Sequence, residues 1–155
     1  MAKIGRGTEV PLSWIPARNG HIPDSAVCVD LFYYVARCKH GSHWIPGKAV
    51  TGDRVCYYSH DGKQLSCKEF ELLCETSVSD AKKCYEWVPG SCGDVPENAI
   101  IAGMKGDKAL YIVKGTVNFE PSIGKLQQGD KYACLTWRDE EYKVKQYDVL
   151  VFKQT

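Results

Sequence analysis

The sequence predicts an all-β fold made of two tandem homologous β-sheet repeats packed with pseudo-twofold symmetry. Three observations carry this. The run Tyr33-Tyr34-Val35-Ala36-Arg37 leads into Ile45-Pro46-Gly47-Lys48 and returns as Leu110-Tyr111-Ile112-Val113-Lys114 leading into Ser122-Ile123-Gly124-Lys125. Tyr34 is separated from Tyr111 by the same interval as Lys48 from Lys125, which marks one structural unit duplicated in register. Short runs rich in Val, Ile, Tyr and Phe alternate with Gly, Pro, Asp and Asn, the signature of β-strands and turns. Pro16, Pro23 and Pro46 in the first copy, and Pro89, Pro96 and Pro121 in the second, read as turns or strand starts, where a sheet tolerates proline.

Taken in order, residues 1–13 hold two glycines and a proline in a mixed-charge context and read as an N-terminal arm. Repeat one spans 14–73. It opens at Trp14-Ile15-Pro16, passes Gly20 and continues through Ile22-Pro23-Asp24-Ser25-Ala26-Val27. Residues 74–86 form a linker, in which Ser77 to Lys83 suggests one helical turn with Ser79 as its cap. Repeat two spans 87–150 and opens at Trp87-Val88-Pro89, with Val95-Pro96-Glu97-Asn98-Ala99-Ile100 after Gly93. The offset between copies is shorter in these opening motifs than from Tyr34 and Tyr111 onward. Repeat two therefore carries a longer hairpin, with its tip around Gly103 to Asp107. Both copies close alike, at Phe70-Glu71-Leu72-Leu73 and Tyr147-Asp148-Val149-Leu150.

Composition excludes several classes of function. The 155 residues carry 20 basic and 19 acidic side chains, a net charge of +1. Their even distribution gives no basic face for nucleic acid. Mean hydropathy is −0.32, no apolar run is long enough for a membrane span, and membrane insertion is not expected. Residues 1–10 contain no apolar core of a secretion signal. A cytoplasmic location is expected, with release or surface exposure by a non-classical route if the ligand lies outside the cell. Eight cysteines in such a chain are expected to be reduced thiols, with Cys74 and Cys84 the pair that an oxidising space would join.

No nucleophile elbow, phosphate-binding loop or His-Glu-x-x-His motif is present, so no catalytic residue is assigned. Cys38, His40 and His43 have zinc-compatible ligand types, but no second ligand pair stands at conventional spacing. They read as hairpin residues, and neither a metal nor another cofactor is expected. The duplicated lysines are more informative. Lys48 and Lys125 each follow a glycine at what reads as a turn, and Asp30 and Asp107 precede their lysines by the same interval. An ammonium that donates and a carboxylate that accepts suffice to hold vicinal sugar hydroxyls without calcium. The same residues also read as exposed Lys–Asp salt bridges, which contribute little.

The ordered motifs Trp-Ile/Val-Pro, Gly, Ile/Val-Pro-x-x-Ala-Val/Ile, Tyr-Val/Ile-x-Arg/Lys and Pro-Gly-Lys resemble the DM-nine repeat, also found as the sugar-binding part of natterin-like proteins. The resemblance covers most of 14–73 and 87–150. It implies a calcium-independent, mannose-binding lectin that forms homodimers. It assigns sugar contacts to Lys48, to Lys125 (with Ile123 in place of the proline), and to Asp30 and Asp107. Glu120, in the loop before Lys125, is a further acceptor. With no residues after Thr155, a pore-forming domain like that of natterins is not expected. The rival reading is a protein-interaction or structural dimer module in which these lysines bind no ligand.

Overall fold

The computed structural model describes residues 2–5, 8–30, 32–76 and 83–153. The expected helical turn from Ser77 falls almost wholly outside them. The described residues form fifteen strands: β1 (Lys3–Ile4), β2 (Thr8–Glu9), β3 (Leu12–Pro16), β4 (Tyr33–His40), β5 (His43–Val50), β6 (Cys56–His60), β7 (Lys63–Cys67), β8 (Phe70–Glu75), β9 (Tyr85–Ser91), β10 (Ile100–Lys105), β11 (Lys108–Val117), β12 (Glu120–Gln127), β13 (Ala133–Trp137), β14 (Glu140–Val144) and β15 (Gln146–Phe152). The fold is all-β.

Each repeat is an antiparallel meander, β4 to β7 in the first and β11 to β14 in the second. Its closing strand returns to the first strand of the meander, β8 to β4 and β15 to β11. The opening strands β3 and β9 then pair with β8 and β15. Repeat two has the extra strand β10, whose hairpin with β11 turns at Gly106-Asp107 between Lys105 and Lys108. Repeat one has only the isolated bridge Cys28↔Tyr34 there. The extra residues of repeat two thus lengthen this hairpin. The N-terminal segment is woven into the body, with β1 against β10 and Ala2 and Val10 buried.

Two reciprocal backbone bonds join the repeats: Gln64 N–H to the Asp139 carbonyl at 3.0 Å, and Glu141 N–H to the Gly62 carbonyl at 3.2 Å. The residues exchange under the repeat offset that relates Lys48 to Lys125, so the bonds lie about a pseudo-twofold axis. Strand alternation then divides the core. Val35, Leu73, Ile112 and Leu150 enter a cluster shared by both repeats. Their neighbours Ala36 and Leu72 pack inside repeat one, and Val113 and Val149 inside repeat two. Successive side chains point to opposite faces of a strand, so each strand serves its own repeat with one face and the joint core with the other. Units of about 60 residues are marginal alone, and sharing a core supplies the missing burial.

The Gly-Lys motifs differ from the expected turns. Gly47-Lys48 and Gly124-Lys125 lie in the middle of β5 and β12. A Cβ on Gly47 would land on the Tyr57 carbonyl oxygen, and one on Gly124 on that of Cys134. Glycine is required because the next strand folds closely over it. Pro46 and Pro121 lie within these strands too, but the ladders to β6 and β13 begin only at Lys48 and Gly124. Each proline thus occupies a stretch with one ladder, the edge-like position that needs no second donor.

The cysteines also depart from expectation. Cys38 and Cys67 form a disulfide closing a separation of 29 residues, while Cys74 and Cys84 remain thiols. Curling of the β4–β7 meander brings β4 and β7 together, with a Cα separation of 6.3 Å that suits a bridge. Burial pushes the Cys84 thiol up to about 11, so it resists forming the thiolate that disulfide exchange requires.

Gly124→Ala should lower stability by about 1–3 kcal/mol or more in urea unfolding, because the methyl meets rigid backbone. Reducing Cys38–Cys67 should cost about 2–4 kcal/mol in the same measurement, with the far-UV strand signal retained.

Candidate functional site

Gly47 faces the interior of its own repeat, so alternation turns Lys48 toward the opposite one. Lys48 is only 9% exposed, and its ammonium donates to the Thr136 carbonyl on β13 at 3.4 Å. Lys125 makes the mirror-image contact, donating to the Ser59 carbonyl on β6 at 2.7 Å. Ser59 and Thr136 are equivalent under the repeat offset. The two lysines therefore mark two pseudo-equivalent sites, each composed from both repeats. The exposed Lys–Asp salt bridge is overturned: neither lysine lies at an exposed turn, and among the described residues neither pairs with an aspartate.

Around Lys48, repeat one supplies Tyr33, whose ring centroid is 5.3 Å from Nζ. Repeat two supplies Glu120, Ser122, Thr136 and Trp137. The Trp137 indole N–H donates to Glu120 Oε2 at 2.8 Å, and the Ser122 hydroxyl donates to the Thr136 carbonyl at 2.6 Å. Burial lowers the Lys48 pKa, and the Glu120 carboxylate partly offsets this. Burial also raises the Tyr33 phenol, with smaller contributions from Glu120 and Asp30. Arg138 lies over the Trp137 ring at 4.6 Å.

Lys125 opens into a cavity of about 390 Å³ lined by His60, Asp61, Lys105, Gln127 and Glu141, among others. Glu141 Oε2 lies 4.0 Å from Nζ, and the two side chains are 9% and 17% exposed. Glu141 Oε2 and Ser59 Oγ are buried without a hydrogen-bond partner. Buried polar atoms rarely stay unpaired, so both are unsatisfied polar groups beside the lysine. Burial depresses the Lys125 pKa more than Glu141 raises it. Beside them burial raises the Cys134 thiol to about 11, with Glu141 adding to the effect.

The sequence-predicted carboxylates are distributed differently. Asp30 Oδ1 accepts the backbone N–H groups of Phe32 and Tyr33 at 2.8 and 3.1 Å. It shapes the loop that carries Tyr33 and makes no bond to Lys48. Asp107 occupies the exposed β10–β11 tip and has no bond to Lys125. Glu120 begins β12 and faces Lys48, not Lys125, because β12 crosses the opposite repeat. Glu141, Thr136, Ser59 and Tyr33 are additions from the structure. The one advance signal was the offset aligning Gln64 with Glu141, which makes Glu141 the acid of the second site alone. Cys38 is bonded to Cys67, and His40 Nδ1 lies 2.9 Å from the Tyr58 hydroxyl, so the Cys-x-His-x-x-His residues do not converge.

Residues 32–144 match the family model described as the DM9 repeat. The chain belongs to the DM9 repeat family. Over 146 residues it is 32% identical to natterin-4 of Thalassophryne nattereri, covering 90% of this chain and 33% of the relative. It is 26% identical to natterin-2 of the same fish over 98% of this chain and 39% of that protein. The chain thus spans about a third of the length of these curated relatives. Among solved structures, the nematode sperm cell motility protein MFP2B aligns at TM-score 0.67 with 13% identity, over 92% of this chain and 45% of that one. That likeness shows a shared fold. In this DM9 protein the Gly-Lys element places both lysines, and the residues around it differ between copies.

Lys48→Met should leave stability unchanged or raise it by up to about 1 kcal/mol, since it removes a desolvated charge that makes no ion pair within 4 Å among the described residues. Lys125→Met should cost about 1–3 kcal/mol by stranding Glu141. Parallel urea titrations of the two variants test this contrast.

Proposed function

We propose that this DM9 protein is a calcium-independent lectin binding mannose-type glycans at two sites, one at each Gly-Lys strand. The observation that carries the reading is the pair of largely buried ammonium groups, each with one hydrogen bond among the described residues. Each retains N–H donors beside a carboxylate, Glu120 for Lys48 and Glu141 for Lys125. Vicinal hydroxyls fit this set: one accepts from the ammonium, and a neighbour donates to the carboxylate. Such charge-assisted bonds contribute roughly 1.5–3 kcal/mol each. The ammonium fills the role that a calcium ion plays elsewhere, so binding persists in chelator. At the first site Trp137 offers an apolar ring for a pyranose face.

Sites of this polar kind bind single sugars weakly, and two on one chain gain through effective concentration on a glycan-coated surface. Homodimerisation would double their number. The test is retention on mannose-agarose in excess chelator. The native chain should be held, and Lys48→Ala/Lys125→Ala should flow through while keeping its strand signal. Passage of the native chain would end the lectin reading. Retention of both proteins would place the sugar elsewhere.

A further inference from the structure

Repeat two carries an open cleft beside β11 and β15. In repeat one, β4 and β8 stay paired through Ala36↔Leu72, Arg37↔Glu71 and Cys38↔Phe70. The matching ladder of repeat two stops one pair sooner, after Val113↔Val149 and Lys114↔Asp148. Beyond it β15 continues along β9, and the diverging strands open around a cavity of about 940 Å³. Asp94, Lys114, Thr116, Lys145, Gln146 and Asp148 supply its polar groups.

Differences between the copies explain the opening. The disulfide partners Cys38 and Cys67 correspond to Gly115 and Val144, so no covalent bridge holds the strands together here. Arg37 donates to Glu71 at 2.8 and 2.6 Å and lies 4.4 Å from both the Trp14 and Trp44 rings. Its counterparts are Lys114 and Asp148, each a shorter side chain, and no ion pair joins them. Lys114 retains one aromatic neighbour, Trp87 at 4.9 Å, while Pro121 replaces the second tryptophan. The ion pair of repeat one thus becomes an unpaired donor and acceptor, side by side where the ladder ends at the edge of the cleft. Lys114 and Lys145 balance Asp94 and Asp148, so the cleft selects no net charge. Beyond Lys114 the ladder to β15 is absent, which leaves strand backbone facing the opening.

We propose that this cleft is a third binding site, taking a neutral, hydroxyl-rich ligand of one or two sugar units. Unpaired ammonium and carboxylate groups, with Thr116 and Gln146 also lining the cleft, complement hydroxyls that both donate and accept. The volume lies within the usual range of roughly 300–1,000 Å³ for small-ligand sites. The ligand class rests on the glycan-binding reading above, but none of the residues is shared with the two lysine sites.

The experiment is titration of mannobiose into the ¹⁵N-labelled chain, reading the amides of Gly90, Gly115, Thr116 and Gln146. They should shift saturably in both the native chain and Lys48→Ala/Lys125→Ala. Asp148→Asn, which keeps the side-chain shape, should weaken that response about tenfold. Lys114→Arg/Asp148→Glu, which rebuilds the ion pair of repeat one, should abolish it while the amides near Ser59 and Thr136 still respond. Cleft amides that stay silent toward mannobiose, or that move only with glycine as a zwitterionic probe, overturn the proposal. A cleft that responds while the lysine sites stay silent would sink the two-site reading and leave this one standing.

Discussion

The structure depends on a face shared between two sheets. Each repeat is too small for its own core to suffice, so the long strands commit a second face to a core shared with the opposite repeat. Val35 and Ile112 occupy that face at equivalent places, as do Leu73 and Leu150. Lys48 and Lys125 occupy it too, and this is the source of their chemistry. A lysine on the joint face loses much of its water, keeps a single carbonyl from across the axis, and retains donors for something else. The preceding glycine makes this possible by letting the next strand close down on the other side of the chain.

Duplication followed by divergence explains why the two sites are alike in plan and unlike in detail. The lysine and the opposing carbonyl are kept, because they follow from backbone geometry common to both copies. The carboxylate is not. Glu120 comes from the opposite repeat at the first site, and Glu141 from the same repeat at the second. Trp137 borders the first site where His60 borders the second. His60 stacks on His40 at 4.1 Å, and burial and that neighbour lower its pKa. The first site is thus rimmed by an aromatic ring and the second by titratable and charged groups.

The same divergence governs rigidity. Repeat one is fastened by the disulfide and by the Arg37–Glu71 pair, whose arginine also donates to the Ala102 carbonyl of repeat two at 2.7 Å. Repeat two carries neither fastening and instead relies on its longer β10–β11 hairpin and the N-terminal strand β1 laid against it. One copy acts as a closed scaffold, and the other keeps an opening between its strands.

Much of this was legible in the sequence. The constant offset between Tyr34 and Tyr111 and between Lys48 and Lys125 identified the repeats, and the residue types identified strands. The change in that offset located the longer hairpin of repeat two. The duplicated Gly-Lys pair pointed to two lysines that occupy equivalent positions, each bonded to a carbonyl of the opposite repeat. What could not be read was which groups surround them. Asp30 and Asp107 recur in register with the lysines, yet Asp30 is occupied with its own loop and Asp107 sits on a distant tip. Glu120, Glu141 and the Thr136 and Ser59 carbonyls arrive because one sheet crosses the other. The pairing of Cys38 with Cys67 likewise depends on how far the meander curls. Periodicity records which face of a strand a residue occupies, so the sequence determined the repeats and the lysines. The identity of what lies opposite is a long-range contact, and only the packing of the two sheets decided it.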